Sequence, residues 1–227
     1  MRFSTTSIFR TLSGVCLLSA AIPLSSHASL VYFTNSVSFN SASTTSLVEN
    51  FEATGVYPRD TPLPSLTHNG ITYTGLAGVP SHNVWVASPG YPNFGTPTTT
   101  TSILTANGDE DILMSFLSPS TAVGFDTYLN TYGPATISVF GLGGITLGSY
   151  VLNQDPTHVG FWGVTSDADA ITGIRFDSVH GGLINTGIDN IRMGSVVDSV
   201  PEPSSLILAA LGAFAMFASL AKSRRKA

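Results

Sequence analysis

The stretch Ala122-Val123-Gly124-Phe125-Asp126-Thr127-Tyr128 decides the fold. Val123 and Phe125 stand two apart with Gly124 and Asp126 between them. In an extended chain successive side chains point to opposite faces, so this spacing gives a strand one buried and one outer face. Ile171-Thr172-Gly173-Ile174-Arg175-Phe176 reads the same way, with Arg175 between Ile174 and Phe176. Outward from these two, similar short runs recur, bounded by Gly, Pro, Asn and Asp, and no long stretch repeats with a helical period. The pattern predicts strands near Leu30 to Thr34, Leu47 to Glu52, Ile71 to Gly75, Asn83 to Ala87, Ser102 to Ala106, Ile112 to Phe116, Ala135 to Phe140, Ile145 to Leu152, Val159 to Val164 and Gly187 to Met193. With the two opening strands they predict an all-β sandwich. One short helix fits between Asn35 and Ser46, and Tyr57 to Pro64 and Ser88 to Thr101 read as loops.

The β-rich region is flanked by two segments of another character. Residues 1–28 have the anatomy of a secretory signal: Arg2 and Arg10 at the start, a mostly apolar run from Leu12 to Leu24, and Ser26-His27-Ala28 before an expected cut. Cys16, the single cysteine, falls inside that run and lacks the neighbours of a lipoprotein box. The exported domain, residues 29–199, is therefore expected to be free of thiols, and core packing or a metal has to replace disulfides.

At the other end, Val200-Pro201-Glu202-Pro203 precedes an uncharged run from Leu206 to Ala221, and Lys222, Arg224, Arg225 and Lys226 follow it. Those sixteen uncharged residues would form a helix of about 24 Å. Counted from Ser204, residues 204–221 just reach spanning length. The prolines block extension of a helix backwards, and the basic cluster at 222–226 holds the C-terminal side in the cytoplasm. This tail, residues 200–227, resembles the PEP-CTERM sorting tail of Gram-negative bacteria, also catalogued as an ice-binding-protein C-terminal domain, with Val200 to Pro203 as the hallmark. The resemblance implies recognition by an exosortase-type membrane enzyme, passage through the inner membrane with transient anchoring, and delivery to the cell surface or extracellular matrix.

Charge is divided accordingly. Between Ser29 and Val200 the cations are Arg59, Arg175 and Arg192 alone, against thirteen carboxylates, a net charge of −10. Such a domain is no partner for a phosphate backbone, and nucleic acid is excluded.

Several phrases of the domain, Asn50-Phe51-Glu52, Asn69-Gly70-Ile71-Thr72-Tyr73, Ala122 to Asp126, Ile174-Arg175-Phe176 and Ile188-Asp189-Asn190-Ile191, resemble the jelly-roll ectodomains common among proteins with this tail. Those are themselves similar to carbohydrate-binding sandwiches. The resemblance implies a jelly-roll-like fold and a structural calcium between an early acid and one on the last strand, here Glu52 and Asp189. Calcium takes six to eight oxygens, so two acids supply only part of its shell. Extracellular polysaccharide is the implied partner, and aromatic side chains beside polar groups are its usual contacts. Trp85 and Tyr91, at and within the second loop, are the candidates, although Trp85 and Trp162 lie on predicted strands, where a tryptophan more often serves the core.

No catalytic motif is visible. His68, His82, His158 and His180 are scattered singly, with neither His-Glu-x-x-His nor Gly-x-Ser-x-Gly present. Asn107-Gly108-Asp109-Glu110-Asp111 reads as a solvated hairpin turn or as part of a calcium loop, and Asp167 with Asp169 allows the same two readings. The expected protein is a non-enzymatic exported surface or matrix component. An extracellular polysaccharide hydrolase and an ice-binding protein are the alternatives, the latter pointing to the run Thr98 to Thr101 but opposed by the lack of any internal repeat.

Overall fold

The computed structural model describes residues 29–197 except 54, 77–82, 91–98, 107–110 and 179–185. The expected signal segment, the sorting tail with its span 204–221, and Tyr91 lie outside these residues. Among the described residues no helix is long and apolar enough to cross a membrane.

Among the described residues thirteen strands form two antiparallel sheets packed as a sandwich. They are β1 (Leu30–Phe33), β2 (Ser43–Glu49), β3 (Ser65–His68), β4 (Ile71–Leu76), β5 (Val84–Ala87), β6 (Ile103–Ala106), β7 (Asp111–Ser120), β8 (Ala122–Tyr128), β9 (Ala135–Phe140), β10 (Thr146–Leu152), β11 (Gly160–Ser166), β12 (Ile171–Asp177) and β13 (Gly187–Val196). The first sheet runs β1-β11-β8-β13-β6-β5, with β2 also on β13; the second runs β10-β9-β12-β7-β4-β3. From β4 onward most connections pass from one sheet to the other, as in a jelly roll. Stacking of the two sheets lets each strand bury one face against the opposite layer, which is what the two-residue alternation calls for.

The core is the set of inward faces. Trp162 and Phe125 of the first sheet meet Phe176, Ile174, Tyr73 and Met114 of the second, all fully buried. Trp162 packs at 5.2 Å from Phe125, and Phe125 meets Phe176 edge-on at 6.3 Å. Each such ring pair is worth about 0.5–1.5 kcal/mol beyond its area burial. Trp85 is likewise buried, in a smaller cluster with Ala87, Ile103 and Tyr128.

β6 belongs to the first sheet and β7, which begins at Asp111, to the second; Asn107 to Glu110, read from sequence as a hairpin turn or part of a calcium loop, lie outside the described residues. β3 was not foreseen, because Ser65-Leu66-Thr67-His68 lacks an apolar alternation and forms through its pairing with β4 across the Asn69-Gly70 turn. Both turn residues have positive φ, 48° and 77°, which Asn and Gly tolerate best in a tight hairpin.

The helix is shorter than its predicted window, Ser36–Ala42, and Asn35 caps it by accepting from the Val37 and Ser38 amides at 2.9 and 3.2 Å. Its one buried side chain, Phe39, explains where it docks. Gly124 and Gly163 are cross-strand partners on the outer face of the first sheet. A Cβ on either would come within 2.9 Å of the Phe39 ring, so the two glycines form the slot that receives it. Phe39→Ala empties this slot and is expected to lower stability by about 3–5 kcal/mol, read by chemical denaturation; a loss under about 1 kcal/mol would show that the helix contributes little.

Candidate functional site

Strand β13 has β8 along one edge, while its other edge is shared. Gly187 and Ile188 pair with β6, and Ile191 to Val196 pair with β2. Between them the ladder breaks: the register with β8 shifts between Asp189 and Arg192, and Asn190 takes φ 50°. This is a β-bulge, where one strand opens and re-aims its side chains. The fork it leaves between β2 and β6 has unpaired backbone that side chains must satisfy.

The two acids singled out from sequence both serve this fork. Asp189 is fully buried and accepts from the Asn190 amide at 2.7 Å and from the Thr101 hydroxyl at 2.9 Å. Glu52 accepts from the backbone amide of the next residue, Ser102, at 2.5 Å. They are joined through Thr101-Ser102 rather than by direct contact. A third acid, Asp126 on β8, bonds the Asn190 side chain at 2.8 Å and lies 3.6 Å from Arg192. Burial pushes the Asp189 carboxyl from its ordinary 3.8 up to about 7; the Asp126 and Glu52 charges add to this, and the bonds from Thr101 and Asn190 oppose it. Among the described residues no group of three or more His, Cys, Asp or Glu side chains is close enough to hold a metal by itself.

Just before the fork, β2 ends in a second polar knot that sequence reasoning missed. The buried Glu49 carboxylate accepts from the Asn50 and Phe51 amides at 3.0 and 2.8 Å, from the Tyr57 hydroxyl, and from Asn69 at 3.2 Å, and its Oε2 lies 2.6 Å from His68 Nδ1. These bonds from Tyr57, His68 and Phe51 hold its pKa below the usual value even though burial opposes them. His68, read from sequence as solitary, is thus partnered by an acid nineteen residues earlier. Only the pairing of β3 with β4 brings it there.

On the outer face of the second sheet, Arg175 spans two acids, Asp111 at 2.9 Å and Asp177 at 2.8 Å. Burial and the Asp177 charge raise Asp111 to about 7, against the Arg175 hydrogen bond. Around this trio the face is hydroxylic: Ser65, Thr74, Ser138 and Ser149 fall in one row across the strands with Leu113 and Arg175.

The remaining sequence candidates are spread out. Trp85 is 6% exposed and belongs to packing. Asp167 accepts from the Ser29 amide at 2.7 Å, and the Asp169 amide donates to Ser166. In the threonine run Thr99 is buried and Thr101 is bound to Asp189, so these two are committed to the fold and not to an exposed array.

Because Asp189 is easier to protonate folded than unfolded, its contribution is fully present below about pH 4 and is lost as pH rises through about 7. Asp189→Asn mimics the protonated form. Relative to wild type its melting temperature is expected to be higher at pH 8 than at pH 5 by at least about 2 °C, or roughly 1 kcal/mol for a domain of this size. Parallel melting curves across that range would show that Asp189 titrates normally.

No curated protein sequence matches the chain. Among solved structures, a family 29 carbohydrate-binding module is similar at 12% identity over 78% of this chain and 97% of that one, with a TM-score of 0.32. The enzymatically active domain of bacteriophage CBA120 tailspike protein 4 is similar at 14% identity over 69% and 21%, with a TM-score of 0.35. The catalytic domain of a GH87 alpha-1,3-glucanase in complex with nigerose is similar at 14% identity over 45% and 24%, with a TM-score of 0.30. The chain spans about a quarter of the length of that glucanase domain. Residues 199–225 match the PEP-CTERM protein-sorting motif, and the chain is thereby marked as an exported protein carrying that motif.

Proposed function

We propose that the protein is a surface or extracellular-matrix component, processed by an exosortase-type enzyme and anchored in the inner membrane only in transit, whose domain 29–199 is a non-catalytic module for a neutral polysaccharide. One observation carries the choice of ligand. Each of the three arginines between Ser29 and Val200 is committed to a carboxylate: Arg59 lies 4.0 Å from Glu52, Arg175 pairs with Asp111 and Asp177, and Arg192 with Asp126. With no lysine in that region and a net charge of −10, the surface has no spare cation with which to draw an anionic polymer. Its uncommitted capacity is in hydroxyls and amides, which match sugar hydroxyls as both donors and acceptors.

A second reading, hydrolysis of such a polymer, is favoured by the Asp111 and Asp177 pair, two carboxyl groups side by side of which burial pushes Asp111 up to about 7, since glycosidic cleavage works through paired acids. The guanidinium between them favours the structural role. The full chain in a zwitterionic detergent is expected to be retained on neutral insoluble polysaccharides and not on anionic ones, with no dependence on salt between about 0.05 and 0.5 M, because no Coulombic attraction is involved. Release of reducing ends would favour the hydrolase; retention on anionic polymers alone would overturn the neutral-ligand reading.

A structural calcium at Glu52 and Asp189 belongs to the same proposal. The argument for it is charge: the Asp126 and Glu52 carboxylates both act on the buried Asp189, and a divalent cation would relieve the repulsion that helps raise it. The Thr101 hydroxyl is a neighbouring oxygen, and the rest of the shell would come from backbone and water. Calcium is expected to raise the melting temperature of wild type and not of Glu52→Gln or Asp189→Asn; equal melting with calcium and with chelator would remove the metal.

A further inference from the structure

We infer that the neutral saccharide is held not on a sheet face but in a cleft at the seam of the two sheets, an assignment that rests on the polysaccharide-binding reading above. The cleft, about 460 Å³, opens where β2 and β13 of the first sheet meet the β3–β4 turn and the end of β7 from the second. That volume is in the range of ligand pockets. No charged side chain lines it. Thr44, Ser118 and Ser195 place hydroxyls on its exposed rim, and Val48 and Met193 line it with apolar surface.

Asn69 is the fixed element. Its amide nitrogen donates to the Val48 carbonyl at 2.9 Å and to the Glu49 carboxylate at 3.2 Å, leaving its own carbonyl oxygen as the acceptor available to a ligand. The turn that carries it is locked by positive φ at Asn69 and Gly70 and by the Leu117 amide, which donates to the Gly70 carbonyl at 2.8 Å. On the other wall, the Ser120 hydroxyl and the Gly194 backbone bond each other, with the Gly194 amide 3.0 Å from the Ser120 oxygen, closing the back of the seam. A rigid acceptor, rotatable hydroxyls and a small apolar lining are the complement of a sugar ring, which has hydroxyls at its edge and C–H groups on its faces. An anion would find no counter-charge here, and a large apolar ligand would strand the rim hydroxyls.

No aromatic side chain lines the cleft, so stacking does not contribute, and a dissociation constant on the order of 0.1–1 mM is expected for a short oligosaccharide. Saturation-transfer NMR of the full chain with xylo-, cello- and malto-hexaose reads affinities of this size. Ser118→Leu and Ser195→Leu change exposed positions, and each fills part of the cleft and removes one rim hydroxyl without adding an aromatic platform; each is expected to weaken binding at least tenfold with an unchanged melting temperature. Ser115→Leu and Ser138→Leu, on the outer face of the second sheet, are expected to leave it within twofold. Loss in the outer-face pair with retention in the cleft pair would overturn the cleft and leave polysaccharide binding standing. Absence of any signal from wild type, together with no retention on neutral polymers, would overturn both.

Discussion

The β-bulge at Asp189 and Asn190 is the constraint on which the first sheet depends. A strand has two edges, and β13 serves three neighbours, β8 on one side and β6 followed by β2 on the other. It can do so only if the ladder is interrupted where β6 gives way to β2. At that point backbone groups lose their partners, and an unpaired buried amide or carbonyl is costly. Asp189, Asn190, Glu52 and the Thr101-Ser102 segment supply the missing bonds. The acidity of the fork follows from this task, since a carboxylate accepts several N–H bonds in one place.

Glu49 repeats the solution one step earlier. The chain must turn sharply after β2, and Phe51 is held at φ 55° so that its ring stays in the core against Tyr57 and Tyr73. The Glu49 carboxylate gathers the amides of that turn together with Tyr57, His68 and Asn69, and so ties the end of one sheet to a hairpin of the other. The rigidity of the seam cleft follows from this knot, because Asn69 is one of its members.

Much of the fold was legible because core burial writes itself on a strand as a two-residue period. Val123 with Phe125 and Ile174 with Phe176 were readable, and the strands they mark came out where expected. Ser65 to His68 was not readable, because an edge strand with exposed hydroxyls carries no such period and owes its existence to its partner. Of the acids named from sequence, Glu52 and Asp189 bond neighbouring residues of one segment, Ser102 and Thr101, without touching each other. Their link through Thr101 and Ser102, the contribution of Asp126, and the pairing of Glu49 with His68 were hidden, since each depends on side chains brought together from distant strands. Trp85, offered by the sequence as a sugar contact, is instead buried with Ala87, Ile103 and Tyr128, because β5 turns it into the core.

By itself, then, the sequence determined the elements whose signal is local: the alternating strands, the short helix after Asn35, and the sorting motif at 199–225, a signal carried by a short contiguous run. It also determined the charge balance, which needs only counting. Tertiary structure alone decided which acids are desolvated, which arginines are spent on them, and where a cleft opens. Those properties are fixed by distances between residues tens of positions apart, and solvation and electrostatics act through space and not along the chain.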